Sequence, residues 1–315
     1  MNLQSMDYFV ALAEERSFTR AAERIGITQQ TLSAHVANVE RELGVKLVRR
    51  SVPIALTASG EKFLGYARRF QALRRSMEQE FRDIAGDRGG VLSVGIASTR
   101  GHMLMPDAIA AFQERFPDIT VMLREGENDE LVELLKEGRI DMAIATMPLD
   151  VPQLVVERLY RERVVLVVAQ SLLDDLYGER VEQVVDQVQR TGSLRPMADC
   201  PYLLLGERDV PGDLSRSEFE RAGFSPKVKA FSTNSETLVA LAERGVGAVF
   251  CPEEMVRTIF AGRSRGDLRT ITLSDRASFW ISVAWKRSEH VWSAIGEFRD
   301  VLREQPTGAS NAIMS

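Results

Sequence analysis

The sequence predicts an α/β chain headed by a small winged helix-turn-helix, with a long linker helix leading into a two-subdomain, Rossmann-like module. Three observations predict it. Residues 17 to 43 hold two short amphipathic helices around a glycine, and residues 59 to 84 carry one narrow apolar stripe at three-four spacing. From residue 91 to 304 apolar strands alternate with amphipathic helices, the pattern of parallel α/β sheet, over a length greater than one such sheet usually needs.

The helix pair comes first. Ser17 is placed to cap a helix whose inner face carries Ala21, Ala22 and Ile25, small enough for a second helix to cross closely. Gly26 takes the turn, Ile27 plugs the core, and Thr28 caps a second helix with Leu32, Val36 and Val39 on its inner side. The opposite face is left with Gln29, Gln30, Thr31, Ser33, Ala34, His35 and Asn38, short polar groups of the kind that bond base edges and phosphates.

Charge points the same way. The chain is acidic overall at −5, yet residues 16 to 75 hold twelve Arg or Lys against four Glu, a local excess of +8. A basic end on an acidic body is the footprint of a protein that docks one end on a polyanion. After Gly44, the run VKLVRRSVPIALT reads as a hairpin: Val45, Leu47 and Val48 lead out, Arg49, Arg50, Ser51 and Pro53 form the tip, and Ile54, Leu56 and Thr57 return. Such a hairpin is a wing, and Arg49 and Arg50 would reach phosphates or the minor groove of double-stranded DNA.

The stretch YFVALAEERSFTRAAERIGITQQTLSAHVANVERELGVKLVRR, followed by LTASGEKFL, resembles the LysR-type transcriptional regulators, and the later layout extends the resemblance over nearly the whole chain. Gln30 stands where that family usually has proline, Ala34 where it often has Arg or Lys, and Val48-Arg49 where it usually has Phe-Glu. Without a basic residue at Ala34, sequence reading leans on Thr28, Gln29, Gln30, Thr31, Ser33 and His35, with flanking arginines on the backbone.

Residues 59 to 84 read as one helix with a seam of Phe63, Tyr66, Phe70, Leu73, Met77 and Ile84, interrupted at Glu80. A stripe that narrow on an Arg- and Glu-rich helix calls for a partner helix, either its twin in a second subunit or its own chain's domain. The resemblance implies the twin, hence a homodimer with two recognition helices on two half-sites, and tetramers formed through the C-terminal domains.

The predicted boundaries are 1–58 for the winged domain, 59–87 for the linker helix, 88–304 for the α/β domain and 305–315 for a disordered tail. Within the α/β domain, 88–162 with 270–304 form one subdomain and 163–269 the other. Two strands crossing near 160 and 270 would enclose the cleft of a periplasmic-binding-protein-like module, which the resemblance also implies. The segment 171–200 is longer than a usual connection and charged; it covers an edge of the second subdomain or forms a subunit contact.

Ligands of open α/β sheets sit at the carboxyl ends of strands, where helices begin. Ser98, Thr99 and Arg100 follow one strand, Thr146 and Gly206 end two others, and Asn234 lies in a capping box. Ser98 and Thr99 are equally suited to capping, and their match to the family's effector site favours a binding role. Helix N-termini around Arg100 favour an effector bearing a carboxylate or other anionic group. His102 beside them is open to ligand contact or to a solvated first-turn role.

Other chemistry is thin. His35, His102 and His290 lack metal-ligand spacing, and no Walker loop, nucleophile elbow or catalytic carboxylate pair is present, so neither a metal, a cofactor nor an enzymatic activity is expected. Cys200 and Cys251 lack the basic neighbours that activate a thiol, although one branch of the family senses peroxide through a cysteine pair. Two cysteines, no export signal and no apolar run of membrane-spanning length fit a cytoplasmic protein without a membrane partner. A solute-binding or enzymatic α/β protein without DNA-binding role is the alternative.

Overall fold

The computed structural model describes residues 2–49, 51–86, 89–206, 209–260 and 267–305, the side chains of Ser98 and Thr99 excepted. The expectations for Arg50, for the Ser98 and Thr99 side chains and for the tail beyond 305 lie outside the described residues.

Helix α1 (Leu3–Glu15) opens on Asn2, whose side chain accepts from Ser5 N. Helices α2 (Phe18–Ile25) and α3 (Gln29–Leu43) open on the Ser17 and Thr28 hydroxyls and stop at Gly26 and Gly44, both left-handed, at φ 69° and 68°. The hydroxyls satisfy helix N–H groups that have no carbonyl partner, and the glycines turn without a Cβ penalty. Phe9, Leu12, Ala21, Leu32, Val36 and Phe63 close the core beneath them. The wing is shorter than the sequence suggests: β1 (Val48–Arg49) pairs with β2 (Ala55–Leu56), so Arg49 lies in a strand and not at the tip.

Helix α4 (Ala58–Ala85) begins at Thr57 and ends at Gly86. Gly60 passes so close to the Leu47 carbonyl that no side chain fits there, which locks the start of the helix to the wing. One face of α4 docks on the chain's own α/β domain. Arg75 donates to the Gly138 carbonyl, Gln79 Nε2 donates to Asp141 Oδ1 at 3.0 Å, and Asp83 accepts from Ser293 N at 3.0 Å. Gly138, at φ +68°, also leaves room for Ala72 of α4, against which a Cβ would lie 2.5 Å away. The other face carries Tyr66, Phe70, Leu73, Met77, Phe81 and Ile84, from 43% exposed at Phe70 to 73% at Ile84. The helix therefore has two contact faces, and Phe81 joins the seam where Glu80 breaks the spacing.

Beyond it the chain runs β3 (Gly90–Ala97), α5 (Ser98–Arg115), β4 (Ile119–Gly126), α6 (Asn128–Lys136), β5 (Met142–Ala145) and β6 (Leu154–Ala169). Then come α7 (Gln170–Tyr177), α8 (Val181–Thr191), β7 (Pro201–Leu205), α9 (Val210–Ala222), β8 (Lys227–Ser232), α10 (Ser235–Glu243) and β9 (Ala248–Pro252). The last elements are α11 (Glu253–Ile259), β10 (Leu268–Thr272), β11 (Ser278–Lys286) and α12 (Ser293–Glu304). The strand order is β4-β3-β5-β11-β6-β9-β7-β8, with β10 on the second half of β6. Strands β3, β4 and β5 are parallel, as are β7, β8 and β9, while β6 and β11 run antiparallel to their neighbours.

Two lobes result. The larger core of the first lobe gathers Leu92, Ile96, Phe112, Ile144, Val283 and Phe298, and that of the second gathers Val164, Leu166, Tyr202, Phe219, Phe250 and Ile271. Residues 155–160 and 164–169, which look like two strands in the sequence, are one 16-residue strand, β6. The polar interruption Arg161-Glu162-Arg163 is the crossing between lobes, with the arginines outward and Glu162 buried. The 171–200 segment covers the second lobe: Leu173, Tyr177, Val181, Val184 and Val188 pack into its core, and Arg269 of β10 holds Glu182 through a bidentate pair at 2.5 and 2.6 Å.

Candidate nucleic-acid interface and ligand cleft

Caps and packing decide what α3 presents. With Leu32, Val36 and Val39 buried, the 3.6-residue period turns Gln29, Gln30, Thr31, Ala34 and Asn38 to the surface. Thr28 is largely committed to structure, its Oγ1 accepting from Thr31 N at 3.1 Å and meeting Thr31 Oγ1 at 2.8 Å. Ser33 is half-buried. His35 turns toward α1, with Nδ1 3.0 Å from the Ser5 hydroxyl and its ring edge-on to Tyr8, which leaves Nε2 for any outward contact. Arg49 is exposed on the wing.

Not all of the local positive charge is free. Arg24 pairs with Glu14 at 2.9 Å and Glu15 at 3.1 Å, and Arg74 pairs with Asp7 at 2.9 Å. Glu40 was missed as a positioning residue. It is 7% exposed and accepts from Leu47 N at 2.9 Å, Val48 N at 3.3 Å and Lys46 Nζ at 2.6 Å, so a carboxylate on α3 holds the base of the wing. Burial pushes its pKa up, but the Lys46 ammonium and the two amides outweigh that and hold it below its ordinary value.

Between the lobes lies a cavity of about 330 Å³, at the small end of the usual ligand-pocket range of roughly 300–1,000 Å³. Helix starts make its walls: Ala97, Glu127, Asp209 and Asn234 stand at the N-caps of α5, α6, α9 and α10. Ala97 and Glu127 make no side-chain capping bond, so the opening N–H groups of α5 and α6 lack that partner, whereas the Asp209 carboxylate feels the Gly212 N–H in the first turn of α9. Pro211, Pro252 and Met255 give an apolar patch.

Arg100 is 5% exposed, stands 5.3 Å from the Phe279 ring centroid, and has no partner for Nε. Burial draws its pKa down against the pull of Tyr160, Glu162 and Asp209. Burial likewise pushes the Glu162 carboxyl up to about 7, opposed by Arg100 and aided by the charges of Glu254 and Glu253. Asp209 is also raised by burial, and its Oδ1 lacks a partner.

Of the residues expected around this site, Arg100 and Asn234 line the cavity. Asn234 is partly occupied, accepting from Thr237 N at 3.0 Å as the cap of α10. Thr146 and Gly206 do not line it. Thr146 N donates to Asn128 Oδ1 at 2.9 Å, and the Gly206 carbonyl accepts from Asp209 N at 3.3 Å, so each supports a residue that does. Asn128, Asp209, Ser235 and Met255 were missed; the Pro211 that opens α9 was the available sequence signal for Asp209.

Cys200 and Cys251 are fully buried. Burial pushes the Cys200 thiol up to about 12 and raises Cys251 as well, the opposite of what a reactive thiol needs.

A helix pair with a polar outward helix, a wing held to it, a long helix with an open apolar face and a two-lobed cleft form one assembly. Residues 3–61 match the model of the bacterial regulatory helix-turn-helix protein, lysR family, and residues 85–307 that of the LysR substrate binding domain. The chain belongs to the LysR family. It is a DNA-binding transcriptional regulator with an effector-binding domain, and not an enzyme. It is 28% identical to the regulator BudR of Raoultella terrigena over 92% of this chain and 96% of that one. It is 30% identical to the hydrogen peroxide-inducible genes activator of Haemophilus influenzae over 80% of each. Full-length CbnR bound to its target DNA superposes with a TM-score of 0.65 at 25% identity, over 96% of this chain and 99% of that one.

Proposed function

We propose that this regulator works in the cytoplasm as a dimer paired through α4, places two α3 helices on a pseudo-palindromic site, and responds to a small effector in the cleft that carries a carboxylate or other anionic group. The outward face of α3 carries the DNA reading: Gln29, Gln30 and Thr31 are free of the core and stand at the helix end that meets base edges, with Ser33 and His35 beside them. Arg49, together with Arg50, serves the phosphates. The exposed stripe from Tyr66 to Ile84 supports pairing with a second copy. Exposed Met122 on β4 and Phe231 on β8, the two terminal strands, support a further contact that makes a tetramer.

Unpartnered Arg100 Nε and the uncapped starts of α5 and α6 support a carboxylate or similar anion, with Ser98, Thr99 and Asn234 around it. Two free buried cysteines suit a reducing compartment, and no helix among the described residues is long and apolar enough to cross a membrane. The effector shifts DNA binding or bending by favouring one arrangement of lobes or dimers over another.

Substitution tests both ends. Gln29→Ala and Gln30→Ala should cost about 1–3 kcal/mol of base discrimination, while Arg49→Ala should weaken all sequences alike and reduce the salt slope by about one. Arg100→Gln should keep DNA binding and lose the effector response. A thermal-shift screen in which the compounds that bind all lack a carboxylate or other anionic group would contradict this reading of the cleft.

A further inference from the structure

The cleft holds more acid than base. Among its described lining residues, Glu125, Glu127, Asp209 and Glu236 stand against Arg100 and His102. Glu236 is engaged by His102 at 3.1 Å, and Asp209 lies within the influence of Arg100. Glu125 and Glu127 are exposed and make no ion pair within 4.0 Å among the described residues. An effector that is an anion and nothing more would meet Arg100 at one end and two uncompensated carboxylates at the other, a juxtaposition that selects against it.

Acidic residues near helix starts also have a plain structural use, because they complement the helix dipole. Two further observations point to a ligand. Arg100 Nε and Ser235 Oγ are buried polar atoms without a partner, and both residues, 5% and 4% exposed, line the cavity. Residues of opposite sign also meet at one helix start: a Cβ built on Gly101, which follows Arg100 in the chain, would sit 3.1 Å from Glu125 Oε1. Arg100 and the Glu125 carboxylate therefore both stand at the first turn of α5. A molecule whose own charges are close together satisfies both; a long molecule charged at its ends does not.

We propose that the effector is a zwitterion of the α-amino acid class. This rests on the reading of the cleft as the effector site. The carboxylate lies on Arg100 and the uncapped amides at the start of α5, and the ammonium lies on Glu125 and Glu127. The side chain extends toward Pro211, Pro252 and Met255, and the small cavity favours a short, apolar one.

Calorimetry and thermal shift on the full chain test it with three matched sets: the twenty standard L-amino acids, the amines that lack their carboxylate, and the acids that lack their amine. At least one amino acid should bind about tenfold or more tightly than either of its truncated counterparts. In the Glu125→Gln, Glu127→Gln double variant, folded as the parent by circular dichroism, that preference over the deaminated acid should fall by about tenfold or more. Deaminated acids that bind as well as the amino acids, or a preference unchanged in the double variant, would overturn the zwitterion and leave the anionic-effector reading standing. Binding by the amines alone would overturn both. Absence of binding by all twenty amino acids would overturn the zwitterion.

Discussion

His102 Nδ1 on α5 lies 3.1 Å from Glu236 Oε1 on α10, so one side-chain contact spans the mouth of the cleft from one lobe to the other. Both side chains are largely exposed, at 75% and 54%, and an exposed pair of this kind contributes at most about 1 kcal/mol. His102→Ala should leave the denaturation midpoint nearly unchanged. Because the contact favours closed lobes, it should weaken effector binding by no more than about fivefold in calorimetry. A hundredfold loss would mean that His102 touches the ligand directly.

Glu162 makes stability depend on pH in an unusual direction. Its folded pKa is raised from 4.5 to about 7, so the folded chain binds more protons than the unfolded chain between those values. Stability from this group is therefore present at low pH and declines as pH rises toward 7. Glu162→Gln imitates the protonated form. It should stabilise the protein by about 2–4 kcal/mol at pH 8 and by little at pH 4, as read by urea denaturation.

Glu40 has the opposite sign. Its folded pKa lies below 4.5, so its contribution is complete above that value and is lost as pH falls through the folded pKa. Glu40→Ala orphans the amides of Leu47 and Val48 and should cost about 1–3 kcal/mol. Urea denaturation of the full chain at pH 7 and below checks it, with the difference from the parent shrinking in acid.

Leu73 is 66% exposed in the middle of the open α4 stripe. Leu73→Glu should leave the single chain folded and shift the dimer toward monomer in analytical ultracentrifugation. Affinity for a two-half-site DNA should then fall by about 10²–10⁴-fold, because the second half-site no longer binds intramolecularly.

Much of this was legible before the structure, for local reasons. Ser17, Gly26, Thr28 and Gly44 do their work within a few residues of chain, so caps and turns could be placed from sequence. The cleft residues were harder. Arg100 and Asn234 announce themselves at helix starts, but Glu125 at the end of a strand and Glu127 just after it resemble any solvated acids until β4 and α6 bring them to the cavity. His35 looked outward by periodicity and is drawn to α1 by Ser5 and Tyr8, thirty residues and a helix away. Glu162 interrupted an apolar run and so suggested a break in the strand; its burial beside Arg100 is a fact of tertiary packing. The seven-residue α11 is too short to carry a period and was not anticipated.

The most direct measurement is fluorescence anisotropy of the full-length protein on DNA from upstream of its own gene, titrated over a range of salt concentrations. Arginine and lysine contacts release counterions, so log affinity should fall linearly and steeply with log salt, and Gln29→Ala should narrow the gap between that DNA and a scrambled duplex. Binding that does not respond to salt, or no binding at low salt, would contradict the account.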